Sequence, residues 1–372
     1  MTVNNSRSTR RTIIKATGGS VAALGIAGCL GDDDEDTNGD DGDRPAVQVS
    51  GGGGGYGESR IQNFWEPFEN GEGPYGDGHS YEYTEMASDQ YMADIQQNPE
   101  NPDFDTVELD DQRAPILGEA GALVNHAEEI DNWENIPDAF KTEWMGASTV
   151  FPRGIAYRAD EIDKEISSWD DLIDPDLEGQ VGFEPWENAG SKYFYVINHI
   201  EGGDVNNIEP GLEWMEEFVE TTDPIIFDQV DQADSMFEND EILITPYLSA
   251  RSDSLRLDSG LDMEFVIPEE GSVMDYWGYP ILRHRPEENI EEAKAALEGH
   301  YTPEIQAGFA EDFGYPPAMQ EAYEYISDEA LEERFLELTE EQTERFDVDI
   351  DWVEAQRLSD EHGPQFQQVI AS

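Results

Sequence analysis

The apolar and polar positions from residue 46 onward alternate between short strand-like runs and longer stretches with helical spacing. Residues 46–50 predict a strand that ends in the glycine run 51–55, and residues 58–68 predict a helix. Strands that alternate with helices favour an α/β fold with a mostly parallel sheet and right-handed crossovers. The other predicted strands are 79–86, 104–109, 148–158, 179–183, 241–246 and 263–268, and the other predicted helices are 89–97, 168–172, 189–200, 211–221 and most of the chain from 287 onward.

The length and the charge of the chain narrow its class. A chain of 372 residues has room for two α/β lobes of roughly 100–200 residues each. After residue 29, 16 basic residues face 86 acidic ones, which excludes nucleic acid and anionic lipid surfaces as partners. Such a surface predicts a halophilic protein that works at high salt, where screening removes the self-repulsion. The 8 Trp, 15 Tyr and 16 Phe indicate a packed body and not a disordered acidic chain.

The first 29 residues have the form of an export signal. Arg10 and Arg11 form a twin-arginine (Tat) pair before a glycine-rich apolar stretch, which is shorter than the roughly 20 residues of a spanning helix. Residues 26–29 (IAGC) resemble a lipobox, so cleavage would leave Cys29 as a lipid-modified N-terminus. Cys29 is the single cysteine, which excludes a disulfide within the monomer. The alternative is an unmodified thiol in a discarded leader.

Residues 30–45 predict an extended acidic tether, because they lack apolar content and repel one another. This tether would hold a folded body off the outer face of the cell membrane. Twin-arginine export carries folded proteins, cofactor enzymes among them, so it does not identify the cargo.

Several segments in one order resemble the spermidine/putrescine-type extracellular solute-binding proteins of ABC transporters. Residues 168–181 (SWDDLIDPDLEGQV) are similar to the entry into that family's second lobe. Residues 265–271 (FVIPEEG), 286–297 and 303–306 resemble its return strand and C-terminal helices, and 313–317 (FGYPP) resembles a turn near its end. The glycine run with Tyr56 is similar to its first ligand loop.

The resemblance implies a type II periplasmic-binding fold, in which two doubly wound lobes are joined by a hinge and clamp a solute. The implied organisation is a signal at 1–29, a tether at 30–45, lobe 1 at 46–152 with 278–329, and lobe 2 at 153–277. Residues 330–372 are expected to form a helical C-terminal extension that the resemblance does not place.

The candidate ligand residues follow predicted strand ends, where open α/β sheets bind ligands. In the polyamine branch of the family, acidic side chains hold ammonium groups and aromatic rings cover the methylenes. Trp277 stands where the family carries its amine-binding Asp, and Asp275 where an aromatic is usual, so the polyamine assignment is an expectation only. The candidates are Gly54, Tyr56, Asp111, Gln112, Glu187, Asn188, Tyr247, Asp275 and Trp277.

Each candidate residue can also have a purely structural or solvating role. In so acidic a chain a single carboxylate such as Asp111 or Glu187 can be surface solvation, whereas a loop aromatic at the interlobe face, such as Tyr247 or Trp277, lacks an obvious core role. Tyr193 and Tyr195 resemble the tyrosine pair of ferric-ion binders, but their spacing on a helix favours core packing.

Other classes of function have weaker support in the sequence. Gly52-x-Gly54-x-x-Gly57 satisfies a dinucleotide fingerprint, which keeps an exported nicotinamide or flavin oxidoreductase as an alternative, and a flexible glycine loop is a further one. A ferric-ion-binding protein is the third alternative. No Gly-x-x-x-x-Gly-Lys-Ser/Thr, His-Glu-x-x-His or Gly-x-Ser-x-Gly occurs, so ATP hydrolysis would fall to a partner subunit.

The sequence therefore predicts a monomeric, non-enzymatic, lipid-anchored receptor outside the cytoplasm. It would bind a small solute without a cofactor or metal and deliver it to an ABC permease with its ATPase. If the solute is a diamine, Asp275→Asn is expected to weaken binding and to leave the protein folded.

Overall fold

The computed structural model describes residues 44–338, 340–346 and 348–372. The predicted export signal, Cys29 and the tether up to residue 43 lie outside these ranges. Within them, no helix combines the length and the apolar character that crossing a membrane requires.

Strands and helices alternate along most of the chain, and short 3₁₀ and π turns join several of them. The strands are β1 (Val47–Gly51), β2 (Tyr81–Glu85), β3 (Thr106–Val107), β4 (Leu109–Asp110), β5 (Lys141–Thr142), β6 (Met145–Gly146), β7 (Thr149–Arg158), β8 (Gly182–Phe183), β9 (Ile225–Ile226), β10 (Ile244–Leu248), β11 (Met263–Val266) and β12 (Met274–Gly278). The helices are α1 (Gly54–Arg60), α2 (Glu66–Asn70), α3 (Ser88–Gln97), α4 (Arg113–Glu119), α5 (His126–Glu129), α6 (Ser191–Ile200), α7 (Glu209–Thr222), α8 (Val230–Glu238), α9 (Ser249–Leu257), α10 (Glu287–His300), α11 (Pro303–Phe313), α12 (Asp328–Glu333), α13 (Glu340–Glu344), α14 (Trp352–Arg357) and α15 (Ser359–Ile370).

Local sequence explains two of the turns that lead into helices. Gly57 must be glycine, because a Cβ there would lie 2.2 Å from the carbonyl oxygen of Gly52. The Ser168 hydroxyl accepts the backbone N–H of Asp170, and the Asp171 carboxylate accepts that of Ser168, which starts the predicted short helix with a capping box.

The sheets only partly match the predicted parallel arrangement. Strands β2, β1 and β3 form a parallel sheet. The larger sheet is antiparallel instead, because the long buried strand β7 pairs antiparallel with β10, β11 and β12, and β12 continues to β4. The prediction of a mostly parallel sheet was therefore wrong for this part of the chain.

The buried apolar side chains form two main cores. What we call the first core is the cluster of Phe64, Trp65, Tyr279 and Leu297, with Phe151 at its edge. The second core is the cluster around Phe183, Phe194, Trp214 and Phe218. Two smaller clusters lie beside them, one with Tyr91, Leu109 and Leu282 and one with Phe237, Tyr247 and Met263.

Strands β7 and β12 lead from one core to the other. Phe151 lies in the first core and Ile155, four residues later on β7, lies in the second. Val273, just before β12, belongs to the second core, whereas Tyr279, just after it, belongs to the first. Two adjacent crossing strands are the expected hinge geometry, and the exact lobe boundaries remain a prediction.

The segment 330–372 is integrated with both cores and is not a separate extension. Ala330 and Leu336 pack in the first core, and Ala355, Phe366 and Val369 pack in the second. The segment 330–372 is therefore a third stretch of chain, after β7 and β12, that passes from one core to the other.

Candidate functional site

One face of the crossing strands carries a buried ion cluster. Phe151 lies opposite Asp275, and since alternate residues of a strand share a face, Arg153 and Trp277 lie on the same side. The Nε of Arg153 lies 2.7 Å from Oδ1 of Asp275. The Nζ of Lys192, at the start of α6, lies 2.6 Å from Oδ2. Because Asp275 is fully buried and both cations are less than a tenth exposed, these pairs form out of contact with bulk water.

Asp275 is held in its charged form. Burial alone would raise its pKa, but the Arg153 guanidinium and the Lys192 ammonium outweigh burial and hold the pKa well below its ordinary range. The indole N–H of Trp277 donates a further hydrogen bond to Oδ2 at 3.3 Å. The carboxylate therefore already has three donor residues and primarily joins β12 to β7 and α6.

Four buried polar atoms lie just after the strands β4, β8 and β10. In the part of the chain that the structure describes, none of them has a hydrogen-bond partner. A buried polar atom without a partner costs about 1–3 kcal/mol, and the carboxyl ends of strands are where open sheets bind ligands. We therefore identify these atoms as the candidate solute contacts. They are Oδ1 of Asp111 and Nε2 of Gln112 after β4, Oε1 of Glu184 after β8, and Oγ of Ser249 after β10.

The pKa values of the two carboxyl groups in this set shift in the direction opposite to that of Asp275. Burial raises the pKa of Asp111, and Lys192 opposes this only in part because Asp110 and Asp275 add repulsion. Burial also raises the pKa of Glu184, against the attraction of Arg153. A hydrogen-bond donor that carries positive charge would favour the ionised form of both groups.

Beside the ion cluster lies a cavity of about 440 Å³. One side is formed by Gln112 and Arg113 at the start of α4, and a second side by the turn before α6 together with Lys192. Three predicted ligand residues, Gln112, Glu187 and Asn188, thus line one cavity. Most of its lining side chains carry amide, hydroxyl or charged groups, which suits a polar solute.

Aromatic rings also lie next to the ion cluster. The Trp277 ring centroid lies 6.1 Å from that of Phe151, and the Tyr56 ring centroid lies 6.4 Å from that of Phe151. The Tyr56 hydroxyl accepts hydrogen bonds from Arg60 and donates one to Glu108 at 2.5 Å, so this hydroxyl serves the first core. Trp277 remains partly exposed, which leaves part of its ring available beside Asp275.

Two of the predicted site residues belong neither to the ion cluster or the aromatic rings next to it, nor to the unpartnered atoms at strand ends, nor to the lining of the cavity. Gly54 is exposed and starts α1 with a positive φ of 63°, a conformation that glycine tolerates. The placement of Tyr247 in an interlobe loop was wrong. It lies within β10 and is fully buried, and its hydroxyl donates to the Asp234 carboxylate. The strand runs two residues past the predicted end, which carries this ring into a core.

Sequence reasoning missed Arg153, Lys192, Glu184 and Ser249. Lys192 is one of only five lysines in the chain, and Arg153 interrupts an otherwise largely apolar run. Either feature could have singled out these residues from the sequence. Glu184 directly follows the predicted strand 179–183, and the strand-end rule could have found it. Ser249 was missed because the preceding strand was predicted to end at residue 246.

Comparisons with known proteins agree with this geometry. The family model described as bacterial extracellular solute-binding protein matches residues 75–333. No curated protein matches the chain.

Solved structures share the fold at low sequence identity. A spermidine/putrescine ABC transporter substrate-binding protein, PotD from Streptococcus pneumoniae, is 16% identical with a TM-score of 0.63, over 87% of this chain and 98% of that one. MotA from A. tumefaciens, in complex with glucopine, is 14% identical with a TM-score of 0.68, over 88% and 100%. An ABC transporter protein from Clostridium perfringens is 18% identical with a TM-score of 0.66, over 87% and 99%.

The solved structures confirm the α/β type II periplasmic-binding fold. The family model places the chain among solute-binding proteins, which serve in transport and not in catalysis. Two crossing strands, candidate solute contacts at strand ends and a matching family model over most of the chain agree with one another. The chain belongs to the bacterial extracellular solute-binding protein family, whose members bind small solutes outside the cytoplasm for ABC transporters.

Proposed function

We propose that the solute of this protein carries at least one ammonium group, with a polyamine as the first candidate, and that it binds between the first and second cores. The observation that carries the proposal is the pair of unpartnered carboxyl oxygens on Asp111 and Glu184. An ammonium group can donate hydrogen bonds to these oxygens, and its positive charge offsets the free-energy cost of ionising buried carboxyl groups. The partly exposed ring of Trp277 would cover adjacent methylenes and add cation–π attraction.

Asp275 has a different role in this proposal from the one expected on sequence. It positions Arg153 and Lys192, and Lys192 also lies 3.9 Å from Asp110. These cations leave the site suited to a solute that carries an acceptor beside its ammonium group. Glucopine, the ligand in the MotA structure, therefore belongs in the first panel of test solutes with spermidine and putrescine.

Asp111→Asn is expected to weaken spermidine binding about tenfold or more, the range for a hydrogen bond to a charged group. Calorimetry in molar salt measures this effect. Because cation binding favours the ionised carboxyl, wild-type affinity should rise with pH through the raised pKa of Asp111, and the variant should lose that part of the rise.

Asp103→Asn is the control, since Asp103 is an exposed carboxylate that lies before β3, whereas Asp111 follows β4. The affinity of this control variant should stay within about twofold of wild type. Equal affinities for wild type and Asp111→Asn would contradict the assigned contact. Binding of glucopine without spermidine or putrescine would overturn the polyamine assignment and keep the ammonium group. Binding of a neutral sugar alone would overturn both and keep the transport role.

The geometry does not favour a ferric-ion site. Burial raises the pKa of Tyr193 and Tyr247, and their hydroxyls contact Arg153 and Asp234. Burial opposes the phenolate that binds iron at both positions. At Tyr247 the Asp234 carboxylate opposes it as well, and at Tyr193 the Arg153 guanidinium offsets burial only in part. Added Fe³⁺ should therefore produce no visible absorbance band.

We also propose that Cys29 anchors the mature chain to the outer face of the membrane, through the tether at 30–45. The lipobox-like sequence before the single cysteine supports this. Cys29→Ser is expected to move most of the protein from the membrane fraction to the medium when it is expressed in its own host. Immunoblots of the two fractions measure the change, and an unchanged membrane fraction would contradict the anchor.

A further inference from the structure

The polar cavity has a third wall, which comes from residues 348–372, here called the C-terminal segment. This wall faces Gln112 and Arg113 on one side and Lys192 on the other. Its contribution is mainly polar, with two amides, a hydroxyl and a carboxylate. The residues of the wall are Gln356, Ser359, Asp360, Gly363, Pro364 and Gln367.

Specific contacts fix this segment to the second core. The indole N–H of Trp186 donates to the Ser359 hydroxyl at 2.8 Å, and the Gln367 amide donates to the Glu187 carboxylate at 2.6 Å. The Tyr195 hydroxyl and the His362 ring nitrogen lie 2.8 Å apart. Together with the buried side chain of Phe366, these contacts give the wall a defined position.

The segment also reaches the far side of the cavity. Arg357, at the end of α14, forms an ion pair with Glu119 at the end of α4. Since α4 carries Arg113 and directly follows Gln112, this pair joins the segment to the helix that forms the first side of the cavity. A solute in the cavity would therefore touch groups from three separate stretches of sequence.

We propose that the C-terminal segment is part of the solute site, and that Gln356, Asp360 and Gln367 determine which solutes fit. This inference rests on the proposed function, because the solute that contacts Gln112 and Lys192 extends into the same cavity. Amides and a carboxylate select a solute end that carries several hydrogen-bonding groups, such as an ammonium or hydroxyl groups, and exclude an apolar end.

The placement of the wall can be tested without any solute. In the full chain with Cys29→Ser, spin labels are attached at Glu119→Cys and Arg357→Cys. The doubly labelled protein should show strong dipolar broadening compared with the sum of the two singly labelled spectra. A spectrum equal to that sum would contradict the placement of the C-terminal segment beside α4, whatever solute the protein binds.

Neighbouring glutamines provide the test of solute selection. Gln367 lines the cavity, whereas Gln368 is exposed on the same helix and is absent from the lining. With spermidine, putrescine and glucopine as probes, Gln367→Ala should weaken binding about two- to tenfold, the effect of one lost hydrogen bond. Gln368→Ala should leave affinity unchanged.

Equal effects of the two substitutions would overturn the assignment of Gln367. If none of the three probes binds wild type, the proposed ligand class fails, and the spin-label result still decides whether the segment packs against α4 beside the cavity. The two failures are therefore distinguishable.

Discussion

Asp275→Asn is expected to lower the free energy of unfolding by about 3–5 kcal/mol, because it leaves Arg153 and Lys192 buried without their counter-charge. Urea unfolding in molar salt should show a lower midpoint with an unchanged slope. The pKa of Asp275 is lowered in the folded state, so its contribution is present above the ordinary carboxyl pKa of about 4 and is lost as pH falls below it. The deficit of the variant should therefore shrink in acid.

Asp240→Asn is the matched control. Asp240 also pairs with an arginine, Arg158, but its side chain is 66% exposed, so its loss should cost at most about 1 kcal/mol. An Asp275→Asn protein as stable as the control would show that Asp275 is not a structural anchor. That outcome would restore the expectation from sequence, in which this substitution weakens solute binding and leaves the fold intact.

Arg60→Met is also expected to lower the free energy of unfolding by about 3–5 kcal/mol, because it leaves the buried Glu108 carboxylate without its counter-charge. The Nε of Arg60 lies 2.9 Å from Oε1 of Glu108, and the guanidinium also lies over the rings of Tyr56 and Phe309. Glu108 in turn accepts the backbone N–H of Gly52, so this pair holds the glycine run after β1 in place. Urea unfolding measures the loss.

The double substitution Arg60→Met with Glu108→Leu separates two contributions to this loss of stability, which are the unpaired charge of Glu108 and the lost packing of Arg60. Removing both partners of a buried pair often costs much less than removing one, so the double variant should be more stable than Arg60→Met alone. Lys294→Met, which removes a cation paired with the largely exposed Glu129 and Glu291, should change stability by less than about 1 kcal/mol. A double variant less stable than the single one would show that Glu108 stabilises the fold without Arg60.

The order of secondary structure could be predicted because it depends on local periodicity and on glycine and proline positions. The strand 148–158 was predicted within a residue of Thr149–Arg158, and the helix 211–221 lies inside Glu209–Thr222. Helices α8 and α9 were missed, and the early end given to β10 misplaced Tyr247. Strand ends are set by pairing partners that are distant in sequence, so local patterns define them poorly.

For the candidate site, the strand-end rule located Asp111, Gln112, Glu187 and Asn188, since it needs only approximate strand positions. It could not tell which carboxylates carry free oxygens. Asp111 and Asp275 look alike in a sequence with 86 acidic residues. Only the structure shows that Asp275 is paired with two cations and that Oδ1 of Asp111 has no partner among the described residues.

The sequence by itself determined the α/β class, the likeness to a solute-binding family and the extreme acidity, because periodicity, motif order and composition are properties of the chain alone. The tertiary structure decided which charges are paired, that β7 lies in an antiparallel sheet, and that the C-terminal segment lines the cavity. Those features depend on contacts between residues separated by a hundred positions or more, such as Arg153 with Asp275 and Glu119 with Arg357. Free energies of burial and pairing arise only when folding brings such residues together.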